Sequence, residues 1–167
     1  MPPSDLSAAA EAVLAACRRS GLAVATAESC TGGMITAALT AIPGSSEVVE
    51  CGFVTYSDAA KAAMLGVPAD LIAASGAVSE AVARAMAEGA LAHSRADIAV
   101  AVTGIAGPGG ATPGKPVGLV HFACARRGAV PRSHAEIFAG DRDAVRTQAA
   151  LTALRLLLDA ASPPPPP

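Results

Sequence analysis

The chain has 167 residues, a formal net charge of −2, 52% hydrophobic and 16% charged residues. That length suits one domain with a real buried core. With one tyrosine, three phenylalanines, no tryptophan and no basic excess, it lacks the stacking platforms and cationic groove of a single-stranded nucleic-acid binder.

Asp5 to Arg19 is rich in alanine and leucine, and Leu6, Val13, Leu14 and Cys17 share one face at helical spacing, so a helix is predicted there, ended by Gly21. Leu22 to Ala27 is a short apolar run suited to a buried strand. It passes through Glu28-Ser29-Cys30-Thr31-Gly32-Gly33 into a helical stretch, Met34 to Ala41. Strand, small-residue turn and helix in succession present backbone N–H groups to an anion. A tight turn that needs glycine explains the same residues. Ile42-Pro43-Gly44-Ser45-Ser46 breaks the helix, and Val48 to Thr55 reads as a strand. Asp58 is placed to cap a helix to about Leu65, with Lys61 on its first turn.

A short helix is predicted over Ala69 to Ala73, and a longer one from a Ser79 cap to His93, with Glu80 and Arg84 paired one turn apart. Ile98 to Thr103 reads as another buried strand, followed by a glycine- and proline-rich loop over Gly104 to Pro116. Val117 to Ala125 and Ser133 to Phe138 form a predicted hairpin, and Asp141 caps a last helix to about Ala160. Alternating strands and helices, then a hairpin and a helix, point to a three-layer α/β/α sandwich with a mixed, mostly parallel sheet. The domain is expected over residues 1–162, with the five prolines at 163–167 a disordered end.

Four cysteines without a CxxC pair read as reduced thiols and a cytoplasmic location. No secretory signal or membrane span is expected. His93, His121 and His134 lack ligand spacing, so neither a metal nor a cofactor is expected.

The lysines carry more information. The chain has ten arginines and only Lys61 and Lys115. A position that keeps lysine is a place for something arginine cannot do, and shedding a proton when desolvated is foremost. Lys61 lies five residues after Tyr56, the only tyrosine. Together with Ser46 they read as a nucleophile and its proton-handling partners. A solvated helix lysine beside the end of a core strand is the bland alternative. Cys30 near a helix start is either a lowered-pKa thiolate or a packed thiol. Lys115 and Arg142 are placed to reach an anion; Arg142 could equally pair with Asp141 or Asp143.

Seven motifs fall in a familiar order: Ala27-Glu28-Ser29-Cys30-Thr31-Gly32-Gly33, Gly44-Ser45-Ser46, Gly52-Phe53-Val54-Thr55-Tyr56-Ser57, Gly76-Ala77-Val78-Ser79-Glu80, Gly104-Ile105-Ala106-Gly107-Pro108-Gly109-Gly110, Lys115-Pro116-Val117-Gly118 and Gly140-Asp141-Arg142. In this the chain resembles the CinA C-terminal domain family, the nicotinamide-nucleotide amidases, in its stand-alone form. The resemblance implies hydrolysis of the carboxamide of nicotinamide mononucleotide to nicotinic acid mononucleotide and ammonia. It implies Lys61 as base, Tyr56 as relay or oxyanion donor, and Ser46 as favoured nucleophile with Ser29 as rival. Thr31, Gly32, Gly33, Thr103, Gly104 and Arg142 would hold the nucleotide. The implied partner is that small molecule, with no nucleic acid and no membrane, and a homo-oligomer is expected. A nucleotide-binding regulatory module without catalysis, and a Cys30 thiol hydrolase, are the competing functions.

Overall fold

The alternation of large and small residues along the strands sets the architecture. Ile98, Val100 and Val102 of β3 (Ile98–Gly104) point to one face, while Ala99 and Ala101 point to the other. β1 (Val24–Glu28) and β4 (Leu119–Arg126) repeat this, with Ala25, Ala27, Ala123 and Ala125 on the small face. Side chains alternate across a sheet, so one face is bulky and the other nearly flat. Helices α1 (Ser4–Ser20), α2 (Met34–Thr40) and α6 (Arg142–Ala161) cover the bulky face around Phe122, Leu14, Leu154 and Leu157. Helix α5 (Glu80–Ala92) lies on the alanine face, with α3 (Asp58–Leu65) and α4 (Ala69–Ser75) beside it.

This is the expected three-layer sandwich. The computed structural model describes residues 4–162, and the proline run at 163–167 lies outside them. The five strands run in the order β2-β1-β3-β4-β5, where β2 is Val49–Val54 and β5 is Arg132–Ile137. β1 is parallel to both β2 and β3, while β4 pairs antiparallel with β3 and with β5. The parallel pairs sit around β1, where the order reverses after β2. Such a reversal opens a crevice at the carboxyl ends of the strands.

Several element ends differ from the sequence expectation, among them β1, which starts at Val24 instead of Leu22. Helix α3 is capped by Ser57, whose hydroxyl accepts from the Ala60 N–H at 3.0 Å, and Asp58 is the first helical residue. β4 begins two residues late, because Gly118 takes φ 92° and packs against the Phe138 carbonyl. His121 pairs with Ala135 and Phe122 with His134, which puts His121 and His134 on opposite faces of the sheet. No helix among the described residues is long and apolar enough to cross a membrane.

Gly89, inside α5, meets the backbone carbonyl of Leu65 at the end of α3; any Cβ at that position would collide with it. Helix propensity alone favours Gly→Ala by about 1 kcal/mol. Here overpacking of about 1–3 kcal/mol opposes it. Gly89→Ala is therefore expected to lower the thermal midpoint, measurable by circular dichroism.

Candidate active site

The crevice at the carboxyl ends of β1, β2 and β3 is a cleft of about 210 Å³. Ser29 follows β1, Tyr56 follows β2, and Thr103 and Gly104 end β3. Lys61 and Asp58 enter from α3, Arg142 from the start of α6, and Ala77 and Val78 from the turn before α5.

At its floor the Lys61 amine donates to the Ser29 hydroxyl at 3.0 Å and to the Thr55 carbonyl at 2.7 Å. The lysine is 1% exposed and the serine 8%. No carboxylate among the described residues comes within ion-pair distance of that amine. Burial holds its pKa below the usual lysine range, against an opposing pull from the Asp58 carboxylate. The backbone sets the pair in register. Thr55, whose carbonyl takes the amine, donates its own N–H to the Glu28 carbonyl at 2.8 Å, and Ser29 follows Glu28. Hydroxyl, amine and the two strand ends thus form one closed hydrogen-bonded ring.

The turn 29–33 is held from beneath. Glu28 is fully buried, and its carboxylate accepts from the N–H groups of Gly33, Ile35 and Thr36 at 2.9–3.1 Å and from the Thr36 hydroxyl at 2.9 Å. The Gly32 N–H goes to the Ser29 carbonyl, and Arg146 of α6 donates to the carbonyls of Cys30 and Thr31. Thr31, Gly32 and Gly33, expected to hold the nucleotide, do not line the cleft. Thr31 is buried, neither glycine lines the cleft, and both glycine N–H groups serve the fold. A carboxylate inside the core takes the helix-start donors that a ligand would otherwise use.

Ser46, the favoured nucleophile of the sequence reading, lies elsewhere. It sits exposed in the 3-10 turn Ser45–Glu47, ahead of β2, whereas Thr55 and Ser29 follow the far ends of the parallel strands. β2 separates the two by its whole length of six residues, roughly 20 Å. Ser46 is not brought to Lys61; Ser29 is.

Tyr56 is 61% exposed, and its hydroxyl accepts from Arg142 at 2.9 Å, leaving its own O–H free to donate. Arg142 also donates to the Gly107 carbonyl at 2.9 Å, which holds the loop after β3 against the start of α6. The Thr103 hydroxyl donates to the Ala77 carbonyl at 2.8 Å and fixes the turn before α5 over the cleft. Gly104 leaves no room for a side chain beside Leu119 and Val120. Lys115 donates to the Ser75 carbonyl at 2.7 Å and does not line the cleft. Cys30 does line it, but burial pushes its thiol up to about 11, the opposite of an activated thiolate. Sequence reasoning missed Asp58 as a cleft residue. Its spacing of three from Lys61, which places both on one side of α3, was the available signal.

The family model for the CinA C-terminal domain matches residues 6–161. The chain belongs to the CinA C-terminal domain family. This CinA domain is 53% identical over 150 residues to a CinA-like protein of Akkermansia muciniphila, 90% of its own length but only 36% of that protein's. It thus spans about a third of several longer relatives. The nicotinamide-nucleotide amidohydrolase PncC of Escherichia coli K12 is matched end to end, 50% identical over 157 residues, 94% of this chain and 95% of that one. Among solved structures, the competence/damage inducible protein CihA of Agrobacterium tumefaciens superposes with a TM-score of 0.94 at 47% identity, covering 97% of this domain and 99% of that chain.

A lysine whose folded pKa is depressed binds fewer protons folded than unfolded, so stability rises with pH between the folded value and the unfolded ~10.4. Below that window its burial cost is fully present; above it the cost is gone. The stability of Lys61→Met minus that of the wild type should therefore fall as pH is raised through the window, read by urea denaturation at several pH values.

Proposed function

We propose that this domain hydrolyses the carboxamide of nicotinamide mononucleotide, with Ser29 as nucleophile and Lys61 as its general base. The single observation that carries this is a buried, desolvated lysine amine 3.0 Å from a serine hydroxyl at the floor of a cleft. Serine needs an adjacent base to become nucleophilic. An amine whose pKa burial depresses sheds its proton more readily and can serve as one; a guanidinium cannot. The substrate is read from full-length similarity to the Escherichia coli amidohydrolase.

In this mechanism Ser29 Oγ attacks the carboxamide carbon and its proton passes to Lys61 Nζ. The tetrahedral intermediate collapses with cleavage of the C–N bond, and the lysine proton leaves with ammonia. Water then attacks the resulting ester, giving its proton to Lys61 while Ser29 is regenerated. Tyr56, whose O–H is free while Arg142 donates to its oxygen, is placed to donate to the developing oxyanion. Arg142, at the exposed start of α6, is the cleft's cation for the phosphate. A purely regulatory nucleotide-binding module has no use for a buried amine with a depressed pKa at its binding site, and the thiol alternative requires a thiolate that burial opposes.

Ammonia release from nicotinamide mononucleotide, followed by chromatography of the acid product, tests the assignment. Ser29→Ala, Lys61→Ala and Lys61→Arg should each lose activity by at least ~10³-fold, while Ser46→Ala and Cys30→Ser keep it. Wild-type kcat/KM should rise with pH on its acidic limb as Lys61 sheds its proton, and level off below the usual lysine range. Full turnover by Lys61→Arg, or loss of activity in Ser46→Ala alone, would refute it.

A further inference from the structure

The cleft holds three charged side chains, and the mechanism above uses only Lys61 and Arg142. The third, Asp58, has no assigned work. The N-cap of α3 is Ser57, so the carboxylate is not needed there. Among the described residues it takes part in no hydrogen bond or ion pair, and it is exposed within the cleft. Beside it, two residues earlier, is the ring of Tyr56, 61% exposed, whose hydroxyl oxygen accepts from Arg142.

On the proposed chemistry this carboxylate is in an awkward place. It draws Lys61 toward the protonated state, which works against a base that must be neutral. Such a charge makes sense where a cation arrives with the ligand. The substrate of the proposed reaction carries one: an N-glycosylated pyridinium is positively charged at the ring nitrogen, at the other end of the sugar from the phosphate. A cleft whose mouth offers one carboxylate, one open aromatic ring and one guanidinium matches a ligand with a cationic ring and an anionic tail.

We propose that Asp58, with the Tyr56 ring, is the specificity element of this cleft, selecting amides borne on a cationic aromatic ring over neutral ones. The inference rests on the hydrolase reading above and deepens it. Substrate binding also has a consequence for the base: once the pyridinium lies against Asp58, the carboxylate's pull on Lys61 is offset, and the amine is freed to take the serine proton. The acid in the first turn of α3 also favours the helix dipole, so the test must separate charge selection from helix stability.

The test compares two ligands that differ only in ring charge: nicotinamide mononucleotide and its neutral carbon-linked isostere, benzamide riboside 5′-phosphate. Dissociation constants are measured by calorimetry in the Ser29→Ala background, where no turnover intervenes, with and without Asp58→Asn. Asp58→Asn should weaken the cationic ligand by about fivefold, the order expected of one partly exposed charge pair, and leave the neutral isostere within about twofold. Asp58→Glu should keep the preference. A purely helix-stabilising aspartate would lower the melting temperature without changing the ratio of the two constants. An unchanged ratio in Asp58→Asn overturns the assignment. Ammonia release by the wild-type chain is read separately: its absence refutes the hydrolase, whereas an unchanged ratio with turnover intact refutes only the role of Asp58.

Discussion

A lysine amine enclosed between a backbone carbonyl and a serine hydroxyl is the constraint on which the site depends. In water that amine would be a cation; inside the protein, 1% exposed and without a carboxylate in ion-pair reach among the described residues, its charged form loses hydration that one carbonyl does not replace. The fold therefore carries a destabilising group and holds it in place from several sides. Leu65 of the same helix is locked against α5 through Gly89, where only a hydrogen fits, and Ser57 fixes the helix start. On the proposed chemistry, function and stability pull in opposite directions at this one side chain.

The second support is the buried carboxylate of Glu28. It gathers the first N–H groups of α2 and the Thr36 hydroxyl, and so fixes the turn that carries Ser29 relative to the end of β1. Thr36 in turn meets Thr26 at 2.6 Å and occupies the space where a Cβ on Gly52 would fall, which ties β2 to the same cluster. Two strand ends and a helix start share one polar knot, and Ser29 and Lys61 project from it. Side chains borne on rigid elements in this way suit the proposed chemistry, which needs reacting groups held in a fixed geometry.

Much of this was legible in the chain. The layer order followed from strands alternating with helices along the chain, a succession that covers both faces of a sheet. Lys61 and Tyr56 stood out through scarcity, one of two lysines and the sole tyrosine. Ser29 against Ser46 was not legible: each precedes a turn or strand in a glycine-containing motif, and only the parallel pairing of β1 with β2 decides which one shares an end of the sheet with Lys61. The surroundings of Gly32 and Gly33 were not legible for a related reason. Backbone N–H groups at a helix start look available in sequence, and neither the Ser29 carbonyl that takes Gly32 nor the buried glutamate that takes Gly33 is evident there as an acceptor. Asp58 was hidden behind its neighbour, since Ser57 and Asp58 are equally good caps by residue type.

The central claim is that Lys61 is deprotonated more readily than an ordinary lysine because the protein surrounds it. With only two lysines in the chain, selective ¹³C labelling of the lysine ε-carbons yields two signals, assigned with a Lys115→Arg variant. The account predicts that the Lys61 signal titrates below the usual lysine range and moves back toward it once the chain is unfolded. A Lys61 amine that titrates in the folded protein as it does in the unfolded one would contradict it.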